Sequence, residues 1–212
     1  MSPGATSAST PARLPSRRWP PERFAAVADA LAGDGFQIVL TGAAGEAPLT
    51  MAVRAAMRAP AVDLAGKTGL GSLGVLLRGA ALLVCNDTGV SHIAAALRLP
   101  SVVIASGSDP ARWAPIDGER HRVLAHPVPC RPCAYSDCPI GHDCALGVTV
   151  EAVLAAARGF PLAVIADRRS AAMGTPPVSC PRGEDESSSP DSSRTNPLLA
   201  GRGEVASATR DR

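Results

Sequence analysis

The chain has 212 residues, a formal charge of +2, 46% hydrophobic and 19% charged residues, a composition that suits one packed domain of good size. So small a net charge argues against the clustered basic face of a nucleic-acid binder, and no apolar run reaches the ~18–20 residues of a membrane span. The opening MSPGATSASTPARLPSRR has no apolar stretch of the signal-peptide kind. A cytoplasmic location is therefore expected, with the six cysteines reduced or metal-bound rather than forming a disulfide framework. Aromatics are 3% of the chain, so Ala, Val, Leu and Ile must build the core.

In chain order, residues 1–20 read as a loop rich in Ser, Pro and Arg that leads into a domain spanning 21–161. Pro21 to Leu31 carries Phe24, Val27, Ala28 and Leu31 at helical spacing, and Pro21 sits in the first turn, where its missing N–H costs nothing. Phe36 to Leu40 is a short buried strand, followed by the turn Thr41-Gly42-Ala43-Ala44-Gly45. A helix is expected over Pro48 to Arg58, a strand over Ala61 to Leu64 and a helix over Leu70 to Arg78, with Leu73, Leu76 and Leu77 on one side. Ala81 to Cys85 is a strand, Thr88 to Arg98 a helix and Ser101 to Ala105 another strand. Strands apolar on both faces that alternate with helices imply a parallel sheet covered on both sides, a Rossmann-like, doubly wound α/β domain. Residues 162–212 mix Ser, Pro, Gly and both charge signs with too little apolar content to offset ordering entropy, and are expected to be disordered.

In such a sheet ligands bind beyond the carboxyl ends of the strands. Asn86-Asp87-Thr88-Gly89-Val90-Ser91-His92 follows a buried strand directly. Val90, Ile93, Ala94 and Leu97 form the packing face of the next helix. His92 lies roughly 200° round from Val90 at ~100° per residue, one turn beyond Thr88. Helix-start amides with a hydroxyl and an imidazole beside them make a suitable phosphate site. The plainer alternative is that Asp87 or Thr88 caps the helix and His92 is a surface residue.

Cys130, Cys133, Cys138 and Cys144 are spaced C-x2-C-x4-C-x5-C, with His142 between the last two. Cys-x2-Cys is the usual knuckle of tetrahedral zinc, and four thiolates would complete a structural site; reduced thiols or a local disulfide are the alternatives. Cys85 reads as buried filler and Cys180 as a free thiol.

Three ordered stretches, Asp63-Leu64-Ala65-Gly66-Lys67-Thr68, Asn86-Asp87-Thr88-Gly89 with His92, and Asp109-Pro110-Ala111-Arg112-Trp113-Ala114-Pro115, resemble glycosyltransferase family 9, the heptosyltransferases of lipopolysaccharide core assembly. Pro3-Gly4-Ala5 and Arg17-Arg18-Trp19-Pro20 resemble that family's proline-glycine turn and basic-Trp-Pro motif. The resemblance implies one half of a two-domain GT-B architecture, namely the carboxyl-terminal half that holds the nucleotide-sugar donor. It implies that Asp87, Thr88, Gly89 and His92 border the donor's diphosphate and that Arg18 contacts its phosphates. Glu46 would accept the ribose hydroxyls, and Leu64, Gly66 and Lys67 would lie along the base. The implied donor is a nucleoside diphosphate sugar, ADP-heptose first. The acceptor is a lipopolysaccharide core or related glycan, approached through peripheral contact with the inner membrane, and no cofactor is required for transfer. The resemblance implies that the Cys-rich loop stabilises structure. The family's acceptor domain, with its presumed catalytic carboxylate, has no counterpart here. The donor domain's first strand, expected just before Pro3, is also missing by this reading, which would leave an apolar sheet edge unpaired and the chain alone with little or no transferase activity. Asp109 reads as the cap of a short turn, with a part in the sugar pocket as second choice. The competing functions are a non-catalytic nucleotide-binding module and a metal-binding interaction protein built on the cysteine loop.

Overall fold

A computed structural model describes the backbone of residues 5–9 and residues 14–161 with their side chains. The tail over 162–212, Cys180 included, lies outside the described residues. Six strands, β1 (Ala5–Ser9), β2 (Gln37–Thr41), β3 (Ala61–Asp63), β4 (Ala80–Asn86), β5 (Ser101–Ile104) and β6 (His121–Leu124), form one sheet in the order β3-β2-β1-β4-β5-β6. Every pairing is parallel. The seven α-helices among the described residues are α1 (Pro21–Gly33), α2 (Ala47–Ala56), α3 (Leu70–Gly79), α4 (Gly89–Ala96), α5 (Pro110–Trp113), α6 (Asp143–Leu146) and α7 (Val150–Arg158).

The alternation of side chains along β4 and β5 separates two cores. Leu82, Val84, Val102 and Ile104 face α1, α2 and α7, where Phe24, Val27, Leu31, Val53, Val153 and Phe160 are buried. Leu83, Cys85 and Val103 face α3 and α4, meeting Leu77, Val90 and Ala94. All seven residues of β4 are buried, as expected for a strand with helices on both sides. The glycines of α3 do not break it, because Leu73 and Leu77, one turn apart, anchor it to the second core.

A strand lies within residues 1–20 and fills the place between β2 and β4, which corrects their reading as a loop and the expectation of an unpaired edge there. Residues 1–20 are not simply a loop: β1 pairs Ala5 to Ser9 with Gln37 to Thr41 on one side and with Ala80 to Cys85 on the other. It occupies the middle of the sheet, and the edges are β3 and β6. Its letters, Ala-Thr-Ser-Ala-Ser, lack the branched apolar run that marks a buried strand. What holds it is the pair of facing strands, whose backbone donors and acceptors require a partner between them. β6 and α7 extend the fold beyond the elements read from sequence. No helix among the described residues is long and apolar enough to cross a membrane.

Candidate functional site

The order 3-2-1-4-5-6 has its switch point between β1 and β4, and the crevice beyond the carboxyl ends of those strands is where this topology takes nucleotides. Four segments converge there. Trp19 fixes the first. Its ring is 1% exposed, its indole N–H donates to the Val148 carbonyl at 2.9 Å, and it meets Phe24 edge-on at 4.9 Å. Its backbone N–H donates to Asn86 Oδ1 at 3.0 Å, which ties the Arg17-Arg18 turn to the end of β4. The half-buried Arg18 lines a small cavity with Trp19, with Pro21 and Phe24 of α1, and with Leu49 and Val53 of α2. Arg17 Nη2 donates to the Cys133 carbonyl at 3.2 Å, and the Arg17 Nε is buried without a hydrogen-bond partner. Sequence reasoning took Arg18 from this pair and passed over Arg17. The only signal for Arg17 was its place two residues before the Trp.

The second and third segments interlock. Leu64 N–H donates to Leu40 and Gly66 N–H to Gly42, both at 2.9 Å. Gly66 has a φ of +70°, and a Cβ there would lie 3.0 Å from the Ala44 backbone, so the position needs glycine on both counts. Asp63 accepts from Thr50 Oγ1 at 3.0 Å and from Ala65 N–H at 2.9 Å. Lys67 Nζ donates to the Asp63 carbonyl at 3.0 Å, and Leu64 is half-buried. One oxygen of Glu46 accepts from Ala43 N–H at 2.6 Å, which aims the carboxylate along its own turn.

The fourth segment opens α4. Thr88 takes the N-cap position with extended backbone, yet its side chain makes no capping bond, so the cap reading does not account for its hydroxyl. Asp87 N–H donates to Ile104 at 3.0 Å, and Ser91 Oγ turns back to the Thr88 carbonyl at 2.7 Å. Gly89 is exposed, and a Cβ there would meet nothing within 4 Å. Val90 is buried and His92 exposed, as the helical angle requires. The His92 ring lies 6.5 Å from that of Trp113 at an interplanar angle of 62°. Asp109 caps α5, accepting from Ala111 N–H at 3.0 Å.

The cysteine loop closes the far side of the crevice. Arg131 donates to the carbonyls of Ala105, Ser108 and His126, Cys133 N–H to Gly107 at 2.7 Å, and His142 Nε2 contacts the Ser16 carbonyl at 2.7 Å. Cys138 Sγ accepts from His142 N–H at 3.1 Å. Cys130 is exposed, Cys133 half-buried and Cys144 buried, and all are free thiols. Burial pushes the Cys144 thiol up, opposed by Arg131 and reinforced by Cys130, Cys138 and Cys133. Among the described residues no three His, Cys, Asp or Glu side chains are arranged to hold a metal ion. Cys85 is fully buried, and burial with the Asp87 charge pushes its thiol up, beyond thiolate chemistry.

Fold and crevice together define a doubly wound, Rossmann-like α/β protein with a helix start, that of α4, at its switch point. The chain belongs to glycosyltransferase family 9 (heptosyltransferase), whose pattern matches residues 4–143. Lipopolysaccharide heptosyltransferase 2 of Escherichia coli K12 is 33% identical over 114 residues, 52% of this chain and 32% of that protein. Lipooligosaccharide heptosyltransferase 2 of Haemophilus influenzae is 33% identical over 106 residues, 48% of this chain and 31% of that one. The solved structure of the E. coli ADP-heptose lps heptosyltransferase II superposes with a TM-score of 0.65 at 25% identity, over 78% of this chain and 47% of that one. The matched region is thus about a third of the length of these curated relatives and just under half of that structure.

Proposed function

We propose that this chain holds the nucleoside diphosphate sugar of a heptosyltransferase reaction, with ADP-heptose as donor and a lipopolysaccharide core or related glycan as acceptor of the transferred sugar. The observation that carries this is the start of α4, where the Thr88 side chain makes no capping bond, a Cβ on Gly89 would meet nothing within 4 Å, and His92 is exposed one turn beyond Thr88. Helix-start amides bind anions through aligned dipoles. The same groups stabilise the charge that develops on a departing diphosphate, and the imidazole of His92 adds a side-chain donor. Arg18 supplies a planar guanidinium fork suited to phosphate oxygens. Glu46, in the turn after β2, would accept ribose hydroxyls on the oxygen that Ala43 N–H does not use, as a carboxylate after a strand does in this topology, and Leu64, Gly66 and Lys67, just past β3, would lie along the base. From β3 to β4 is three strand spacings, about 14 Å, enough to lay out base, ribose and diphosphate in that order. The E. coli relative, titled an ADP-heptose heptosyltransferase, supports adenine as the base.

Thermal-shift titration with ADP, GDP and UDP tests this. ADP at ~100 times its dissociation constant should stabilise the fold by about 2.7 kcal/mol, and His92→Ala should remove most of the shift. No stabilisation by any nucleotide would refute the reading.

A further inference from the structure

Of the two tryptophans, Trp19 is sealed in the core, whereas Trp113 is 47% exposed. The one-turn helix α5 puts Trp113 where it is. Asp109 caps that helix, Pro110 occupies its first position, and Arg112 and Trp113 emerge at its end. The indole then meets two groups capable of carrying positive charge. Its ring is edge-on to His92 at 6.5 Å, within the range where aromatic pairs attract, and the Arg112 guanidinium carbon lies 5.3 Å from the indole centroid, within cation–π range. The His92 side chain is exposed on α4, so the indole restricts an imidazole that otherwise samples several rotamers, at an entropic cost to any ligand that must order it.

We propose that Trp113 is a positioning residue of the anion site, holding the His92 imidazole at the mouth of α4 so that a bound diphosphate meets it already oriented. This rests on the nucleotide-binding reading of that mouth. A residue that acts through His92 must lose its effect when His92 is gone, which neither a structural role nor direct stacking on the ligand predicts.

Calorimetry with ADP on the full chain decides it, using wild type, Trp113→Ala, Trp113→Phe, His92→Ala and the Trp113→Ala/His92→Ala double variant. Trp113→Ala should weaken ADP roughly two- to tenfold, and Trp113→Phe should retain most of the affinity. In the His92→Ala background, removal of Trp113 should change the dissociation constant by less than about 1.5-fold. Trp113→Leu replaces the alanine variant if the latter melts early. Unchanged affinity in Trp113→Ala, or an equal loss with and without His92, overturns the positioning role while leaving nucleotide binding intact. A wild-type chain that gives no heat with ADP overturns both.

Discussion

At the scale of single residues, the glycines separate packing from function. A Cβ on Gly147 would run into the His126 ring, so Gly147→Ala should destabilise by about 1–3 kcal/mol, the range for overpacking, read as a lower denaturant midpoint. Gly89 faces open ground; Gly89→Ala should leave that midpoint within about 0.5 kcal/mol, the range of neutral surface changes, and yet weaken ADP, because the methyl group stands where the phosphate approaches. Titration gives a further test. His121 is 4% exposed, its Nδ1 2.8 Å from Ser101 Oγ. Burial holds its pKa below the usual value, with Asp117 opposing and Arg120 assisting. The folded state thus binds the proton less readily than the unfolded chain. The associated stability is present above the ordinary histidine value, about 6.5, and is lost as pH falls from there toward the lowered folded value. The melting temperature should therefore decline between about pH 7 and 5, and His121→Asn should flatten that part of the curve.

At the scale of elements, Trp19 joins core to site, since it packs on Phe24 while its backbone holds Asn86 at the end of β4. Trp19→Ala should cost about 3–5 kcal/mol, as large-to-small aromatic changes do, and should also weaken ADP by releasing the Arg17-Arg18 turn. Arg18→Ala should weaken ADP with little change in stability. The sequence shows β2, β4 and β5 plainly, as Val, Leu and Ile runs between turns, and the helix that exposes His92 follows from angular spacing alone. It hides β1, whose small polar letters pair only because β2 and β4 flank them, and β6, whose His-Arg opening reads as loop although β5 recruits it. The cysteine spacing suggests a metal knuckle; what it does not show is the arginine fan and the main-chain bonds that also hold the loop. That network joins residues 5–26 positions apart, and no local pattern encodes it. The Arg17–Arg18 pair was legible as basic; which guanidinium faces which neighbour depends on the placement of Trp19.

At the scale of the whole molecule, the strand order places the Glu46, Leu64–Lys67 and Thr88–His92 segments along one edge, on either side of the β1–β4 switch point. Residues distant in sequence become one surface because every strand of a parallel sheet ends on the same side. The central claim is that the amino end of α4 is where phosphates bind. The most direct measurement is amide NMR during an ADP titration of the isotope-labelled chain. The N–H signals of Gly89, Val90 and Ser91 should move most, followed by those of the turns around Glu46 and Leu64. Saturable shifts confined instead to the cysteine loop, or to the cavity that Phe36 and Pro60 line on the other side of the molecule's β2–β3 pair, with α4 unmoved, would contradict phosphate binding there.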